Sequence, residues 1–198
     1  YLYFNPSSIE VDNNYLMASS DGNIWVYDVS DPANMSQVYH LEINAYWSPE
    51  FLYPYIHITE RIAPDDFRIH VLDITNPTNP VLTNDVLSFT GMVQCLTVEP
   101  GFLYVAHFDD PDNLISIYDI SAGPTVPVFV TDLTLAGEPK KLELVHDAGG
   151  PDYWLAAMHD AFTIEIFNVT DKSSIPPVFL QDMGYAALFD MVAIDNHL

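Results

Sequence analysis

Ile69-His70-Val71-Leu72-Asp73-Ile74-Thr75 is one of four segments that align without a gap. The others are Ile24-Trp25-Val26-Tyr27-Asp28-Val29-Ser30, Ile115-Ser116-Ile117-Tyr118-Asp119-Ile120-Ser121 and Ile164-Glu165-Ile166-Phe167-Asn168-Val169-Thr170. Their Asp or Asn positions lie 45, 46 and 49 residues apart. Two places before that position the residue is always Val or Ile, and four places before it is always Ile. The residue between them is Trp25, His70, Ser116 or Glu165, which share no character. A uniformly β-branched face with period two is the mark of a strand. Its recurrence at a fixed spacing is the mark of a repeat architecture.

The Asp/Asn column has a mechanical reading. A side-chain oxygen at a strand's end accepts from the backbone N–H two residues on, forming an Asx-turn. Asp28, Asp73, Asp119 and Asn168 are therefore expected as structural turn caps, with Ser30, Thr75, Ser121 and Thr170 in the donor position. Pro32 and Pro77 then fix the chain's exit. A further strand follows, opened by Val38, Pro80-Val81-Leu82, Pro127-Val128-Phe129 and Pro177-Val178-Phe179. Upstream lies another, at Tyr15 to Ala18, Tyr55 to His57, Leu103 to Ala106 and Leu155 to Met158. Before these come Ile9 to Asp12, a segment somewhere in Tyr46 to Leu52, Val93 to Val98 and Lys141 to Val145.

Each unit thus reads as four antiparallel strands of four to seven residues. A sheet that is apolar on both faces must cover both, and stacking around an axis does this. The expected fold is an all-β β-propeller over residues 1–198, with blades near 8–43, 46–87, 92–135 and 140–182. A fifth begins near 186, where Asp195-Asn196-His197-Leu198 echoes Asp12-Asn13-Asn14-Tyr15-Leu16. Tyr1 in place of Met, and the half-begun fifth unit, are expected of a piece of a longer chain.

The units resemble the LVIVD repeat, a bacterial and archaeal propeller repeat of the form Leu-x-Val-Ile-Asp-Val-Ser-Asn-Pro-x-x-Pro. The resemblance is carried by Val26-Tyr27-Asp28-Val29-Ser30-Asp31-Pro32 and by Val71-Leu72-Asp73-Ile74-Thr75-Asn76-Pro77-Thr78-Asn79-Pro80. The third copy departs at Ala122-Gly123-Pro124, and the fourth at Asn168 and Asp171-Lys172. It implies the propeller fold and an extracellular or cell-surface location. It implies no particular ligand, because the shared residues are turn and core positions.

Composition limits the function. The chain holds 28 acidic and 5 basic side chains, for a formal net charge of −23. Phosphate backbones are bound by Lys and Arg, so nucleic acid is excluded as a partner, and an anionic lipid surface is disfavoured. A hydrophobic content of 49% is too high for a disordered acidic tail. One cysteine excludes a disulfide framework. No stretch reaches the roughly 20 apolar residues of a membrane helix, so no insertion is expected in this segment.

Several residue groups are candidates for chemistry. His57, His107 and His159 fall in one column when the second strands are aligned, with Ser19 in the first copy, and imidazoles in a column suggest a metal. Against this, neighbouring copies should sit on the order of 10 Å apart, whereas ligands converge within about 2 Å of one metal. Asp109, Asp110 and Asp112 form an acidic loop and a candidate calcium site, although Pro111 restricts it. Asp65-Asp66 and Asp147 to Asp152 are weaker versions. Asn34 and Asn168 match the glycosylation pattern, and Asn168 also occupies a cap. Tyr46-Trp47 and Tyr53 to Tyr55 are an aromatic cluster suited to sugar stacking, to a protein anchor or to core packing. Cys95 reads as a small buried hydrophobe.

No nucleophile elbow, zinc-protease helix or Gly-rich phosphate loop occurs, and no catalytic residue is singled out. The leading expectation is a non-catalytic extracellular or cell-surface module for protein or glycan binding, or for self-assembly. No cofactor other than calcium is indicated. The alternatives are a hydrolase-like enzyme domain with calcium on a propeller face, and a subunit of a surface layer bridged by divalent cations.

Overall fold

The computed structural model describes residues 8–20, 22–45, 49–109, 112–146, 153–159, 163–172, 175 and 177–182. Among them every regular element is a strand, and the strands form four antiparallel four-stranded sheets. The fold class is the β-propeller, each sheet being one blade. The expected fifth unit lies outside the described residues.

Two compact units divide the chain, residues 1–90 with 123–126 and residues 91–122 with 127–198. The first holds blade one, β1 (Ser8–Asp12), β2 (Tyr15–Ser20), β3 (Asn23–Asp28) and β4 (Ser36–Glu42), and blade two, β5 (Glu50–Leu52), β6 (Tyr55–Ala63), β7 (Asp66–Asp73) and β8 (Val81–Phe89). The second holds blade three, β9 (Met92–Glu99), β10 (Phe102–Asp109), β11 (Asp112–Asp119) and β12 (Val128–Thr134), and blade four, β13 (Pro139–His146), β14 (Tyr153–His159), β15 (Thr163–Asn168) and β16 (Pro177–Asp182). Strands pair in sequence order within every blade.

The third strand of each blade is the repeated segment, ending on its Asp or Asn. Ser30, Thr75, Ser121 and Thr170 donate their backbone N–H to Asp28, Asp73, Asp119 and Asn168 at 2.9, 2.7, 2.8 and 3.0 Å. The hydroxyls and N–H groups of Ser30 and Ser121 hold the carboxyls of Asp28 and Asp119 below the usual carboxylate range. Strand lengths depart from the expected four to seven, running from three residues in β5 to nine in β6 and β8. Pro49 precedes β5 and has no N–H to add to a ladder.

Within each unit the repeat explains which sheet face meets which. In the first unit, Ile24 and Val26 of β3 share a core with Ile56, Ile58, Leu72 and Ile74 of blade two. In the second, Ile115 and Ile117 of β11 share a core with Leu155, Ala157, Phe167 and Val169 of blade four. The invariant Ile/Val face of one blade therefore packs on the opposite face of the next within each unit. Each fully buried Ile or Val stabilises by about 1.5–3 kcal/mol. Polar ties join the same pairs of blades. Glu10 Oε2 accepts from Phe51 N at 2.7 Å, and Asp12 Oδ2 from Tyr53 N at 2.9 Å.

Candidate functional site

Register relocates the candidate histidines. The residue opposite the cap at the start of each second strand is Tyr15, Tyr55, Phe102 or Trp154. Five residues beyond it stand Ser20, Glu60, His107 and His159. His57 is thus not in the column of His107 and His159. It corresponds to Met17, Tyr104 and Ala156, and Ser20 rather than Ser19 completes the true column. The expected alignment matched strand ends, whereas the hairpin arms differ in length from blade to blade.

In the corrected register, the position three before the cap becomes coherent. Trp25, His70, Ser116 and Glu165 sit diagonally across the hairpin from Ser20, Glu60, His107 and His159, on the same face. In blade two, His70 Nε2 meets Glu60 Oε2 at 3.0 Å, and His70 Nδ1 accepts the Asp85 backbone N–H at 3.1 Å. Nδ1 therefore carries no proton, and Nε2–H donates to the carboxylate. In blade four the partners exchange strands, with His159 Nε2 3.2 Å from Glu165 Oε2. That contact is a close approach and not a hydrogen bond, since His159 Nε2 has no hydrogen-bond partner. Glu165 Oε2 also accepts Ala136 N at 3.1 Å. Blade one replaces the pair by stacking Trp25 on His40, centroids 5.3 Å apart.

Blade three brings together Ser, His and Asp. His107 Nε2 lies 2.8 Å from Ser116 Oγ, and Ser116 donates to Asp132 Oδ1 at 2.6 Å. The order is wrong for a nucleophilic triad, in which the imidazole stands between the hydroxyl and the carboxylate. Here the hydroxyl is central and its proton is directed at the carboxylate, so His107 Nε2 must donate and cannot serve as a base toward that hydroxyl. His107 and Ser116 are also buried.

A second polar cluster lies within the second unit, where Glu99 accepts from the Tyr104 hydroxyl and pairs with Lys172 Nζ at 2.9 Å. The ammonium sits 4.5, 5.3 and 5.9 Å from the ring centroids of Phe102, Tyr153 and Tyr104. Burial and the carboxylate push the Tyr104 hydroxyl well above its ordinary pKa. Lys172 was one of the departures from the repeat pattern, and its aromatic setting was not legible locally.

The other candidates fare as follows. Among the described residues no three His, Cys, Asp or Glu side chains gather as a metal site; His57 belongs to the first unit, His107 and His159 to the second. His57 is buried, with neither ring nitrogen hydrogen-bonded, and burial pushes its pKa down to about 4. In the acidic loop Asp109 and Asp112 pair as the last residue of β10 and the first of β11, and Asp110 and Pro111 lie outside the described residues. Asp66 is engaged by Arg68 at 2.9 and 3.1 Å. Residues 147–152 lie outside the described residues. Asn34 is exposed, and its amide donates to Asp31 Oδ2 at 2.7 Å. Tyr53 stacks on Tyr15 between the blades of the first unit, at 5.5 Å, while Tyr46 and Trp47 lie outside the described residues. Cys95 is half-buried against the second unit's core.

A family model described as the LVIVD repeat matches residues 5–41, 62–88 and 90–134. No curated protein matches the chain. Similar solved structures include a hypothetical selenium-binding protein from Sulfolobus tokodaii, at 13% identity over 88% of this chain and 54% of that one, TM-score 0.65. The N-terminal domain of Nup159 matches at 15% identity over 89% of this chain and 44% of that one, TM-score 0.55. Nup159 also appears in a structure of Saccharomyces cerevisiae dbp5 bound to nup159, gle1, IP6 and ADP. Hsv2p of Kluyveromyces lactis matches at 15% identity over 85% of this chain and 50% of that one, TM-score 0.56. The chain spans about half the length of these structures, and at such identities the likeness shows the fold alone.

Proposed function

The chain belongs to the LVIVD-repeat family, and from that premise we propose that it is a non-catalytic β-propeller module, outside the cell or on its surface, that binds a protein partner. The observation that carries this reading is the wiring of blade three. The Ser, His and Asp side chains that converge there hold one another, with Ser116 directed at Asp132 and His107 directed at Ser116. Blades two and four place a His–Glu contact in the same tier, so the tier is a device of the blade that serves packing. The acidic, lysine-poor composition supports an exterior location, where mutual repulsion of carboxylates maintains solubility. A propeller of the same fold class, Nup159, binds a protein.

Two measurements test it together. Purified protein is incubated with chromogenic esters, phosphate esters and glycosides, each with and without Ca²⁺. In parallel it is cross-linked on its own cells, and attached proteins are identified by mass spectrometry. The expected outcome is no turnover above buffer and one recurrent protein partner. Turnover abolished by Ser116→Ala would overturn the reading.

A further inference from the structure

Among the outer strands with described side chains, β12 differs from the others. Val128, Phe129 and Val130 are exposed in succession, at 58%, 54% and 36%. In the same register blade one presents Ser36 and Gln37, as Ser36 pairs with Asp28 and Gln37 with Tyr27, while Val128 pairs with Asp119 and Phe129 with Tyr118. Blade two places Val81 and Leu82 there, with Leu82 only partly exposed. Phe129 is held in position by the edge of the Tyr118 ring, with centroids 5.9 Å apart. Val128 lies on the Asp119 face of the edge strand and Phe129 on the Tyr118 and Asp132 face, so the two flank the edge, and a positioned aromatic ring on such an edge is the kind of anchor that carries binding energy at protein interfaces.

The chemistry of the rim selects the occupant. Asp119 lies opposite Val128, and exposed Asp132 lies two residues beyond Val130. Asp119 accepts from the N–H and the hydroxyl of Ser121, and Asp132 accepts from Ser116 Oγ, and a carboxylate with its four lone-pair sites keeps room for a partner's cation. A second copy of this chain would bring another net charge of −23 and the same carboxylates to the contact. The bulge opposite Ile117–Tyr118 interrupts the ladder, which blunts strand addition at this edge and leaves side chains as the contact surface. We propose that the Val128–Val130 segment of β12 is the docking surface for a basic, apolar-bearing protein segment, whose aliphatic or aromatic side chains cover Val128 and Phe129 while its cations meet Asp119 and Asp132. This deepens the binding-module reading and rests on it.

The test uses a variant whose fold the protein itself vouches for. Val128→Ser with Phe129→Gln transplants the blade-one pair. A fluorescent heptapeptide alternating lysine with valine and phenylalanine is the probe, and a lysine–glycine heptapeptide of equal charge is the control. Anisotropy titration is expected to show binding of the apolar probe to the wild type, weakened about tenfold or more in the double variant, with the control bound far less. Equal binding of both peptides, or an unchanged affinity in the double variant, would overturn the surface. Sedimentation showing a dimer that dissociates in the double variant would overturn the occupant in favour of a second copy. The two readings fail separately, because substrate turnover sinks the non-catalytic function without touching the peptide result.

Discussion

His57 sits at a register position that Met17 fills in blade one, yet it is a buried imidazole with both nitrogens unengaged. A buried polar group without a partner is destabilising. Its folded pKa of about 4 compares with 6.5 when exposed. Between those values the unfolded chain binds the extra proton, so stability is full above the upper value and is lost as pH falls through the window. Replacing His57 by Met should raise stability near neutrality, and the advantage over wild type should grow by about 2 kcal/mol near pH 5. Urea unfolding of both proteins across pH checks this, and a constant difference would refute it. The caps give a second expectation. Asp73→Ala should lose about 0.5–1 kcal/mol and Asp73→Asn less than half of that, since Asn168 makes the same bond at 3.0 Å. Chemical denaturation of the two variants separates them. Cap positions were legible because an Asx-turn is local, whereas His57 could not be placed without knowing which residue it opposes.

At the level of the hairpin, the informative feature is the diagonal pair. Blade two puts the acid on the second strand and the imidazole on the third, as Glu60 and His70, and blade four reverses them, as His159 and Glu165. The fold therefore accepts either order. Glu165→His alone should cost about 3 kcal/mol, because it breaks a buried pair and sets two imidazoles together. Adding His159→Glu should bring stability back to within about 1 kcal/mol of wild type. Thermal unfolding of the single and double variants measures the recovery, and a double variant as weak as the single one would show that the pair is not exchangeable. The sequence contained a usable signal for this tier in the aromatic residue that opens each second strand, Tyr15, Tyr55, Phe102 and Trp154. Its distance to the cap varies from 13 to 18 residues, so an alignment by strand ends hid the column that an alignment by hairpin register exposes. The bulges were not legible at all. In β8 three residues, Asn84 to Val86, span the single His70 position, and Asp85 adopts φ 54° to deliver its N–H to that ring.

For the whole molecule the dominant long-range term is charge. A net charge of −23 over 198 residues opposes compaction. Raising salt from about 0.02 M to about 0.5 M shortens the screening length to several ångströms. The melting temperature should therefore rise by several degrees, read by calorimetry at neutral pH. A flat or falling trend would mean that the favourable pairs, such as Lys172 with Glu99, outweigh the repulsion. What the sequence determined by itself is the blade: period-two β-branched segments, a cap that bonds two residues on, and a recurrence too regular for any fold but a repeated sheet. These rest on interactions between near neighbours in the chain, which a linear pattern records. What only the tertiary structure decided is which polar side chains meet. His107 with Ser116 and Asp132, Lys172 with Glu99 inside three rings, and the isolation of His57 depend on hairpin length, diagonal register and the packing of one blade on the next, none of which is written in the spacing of any single segment.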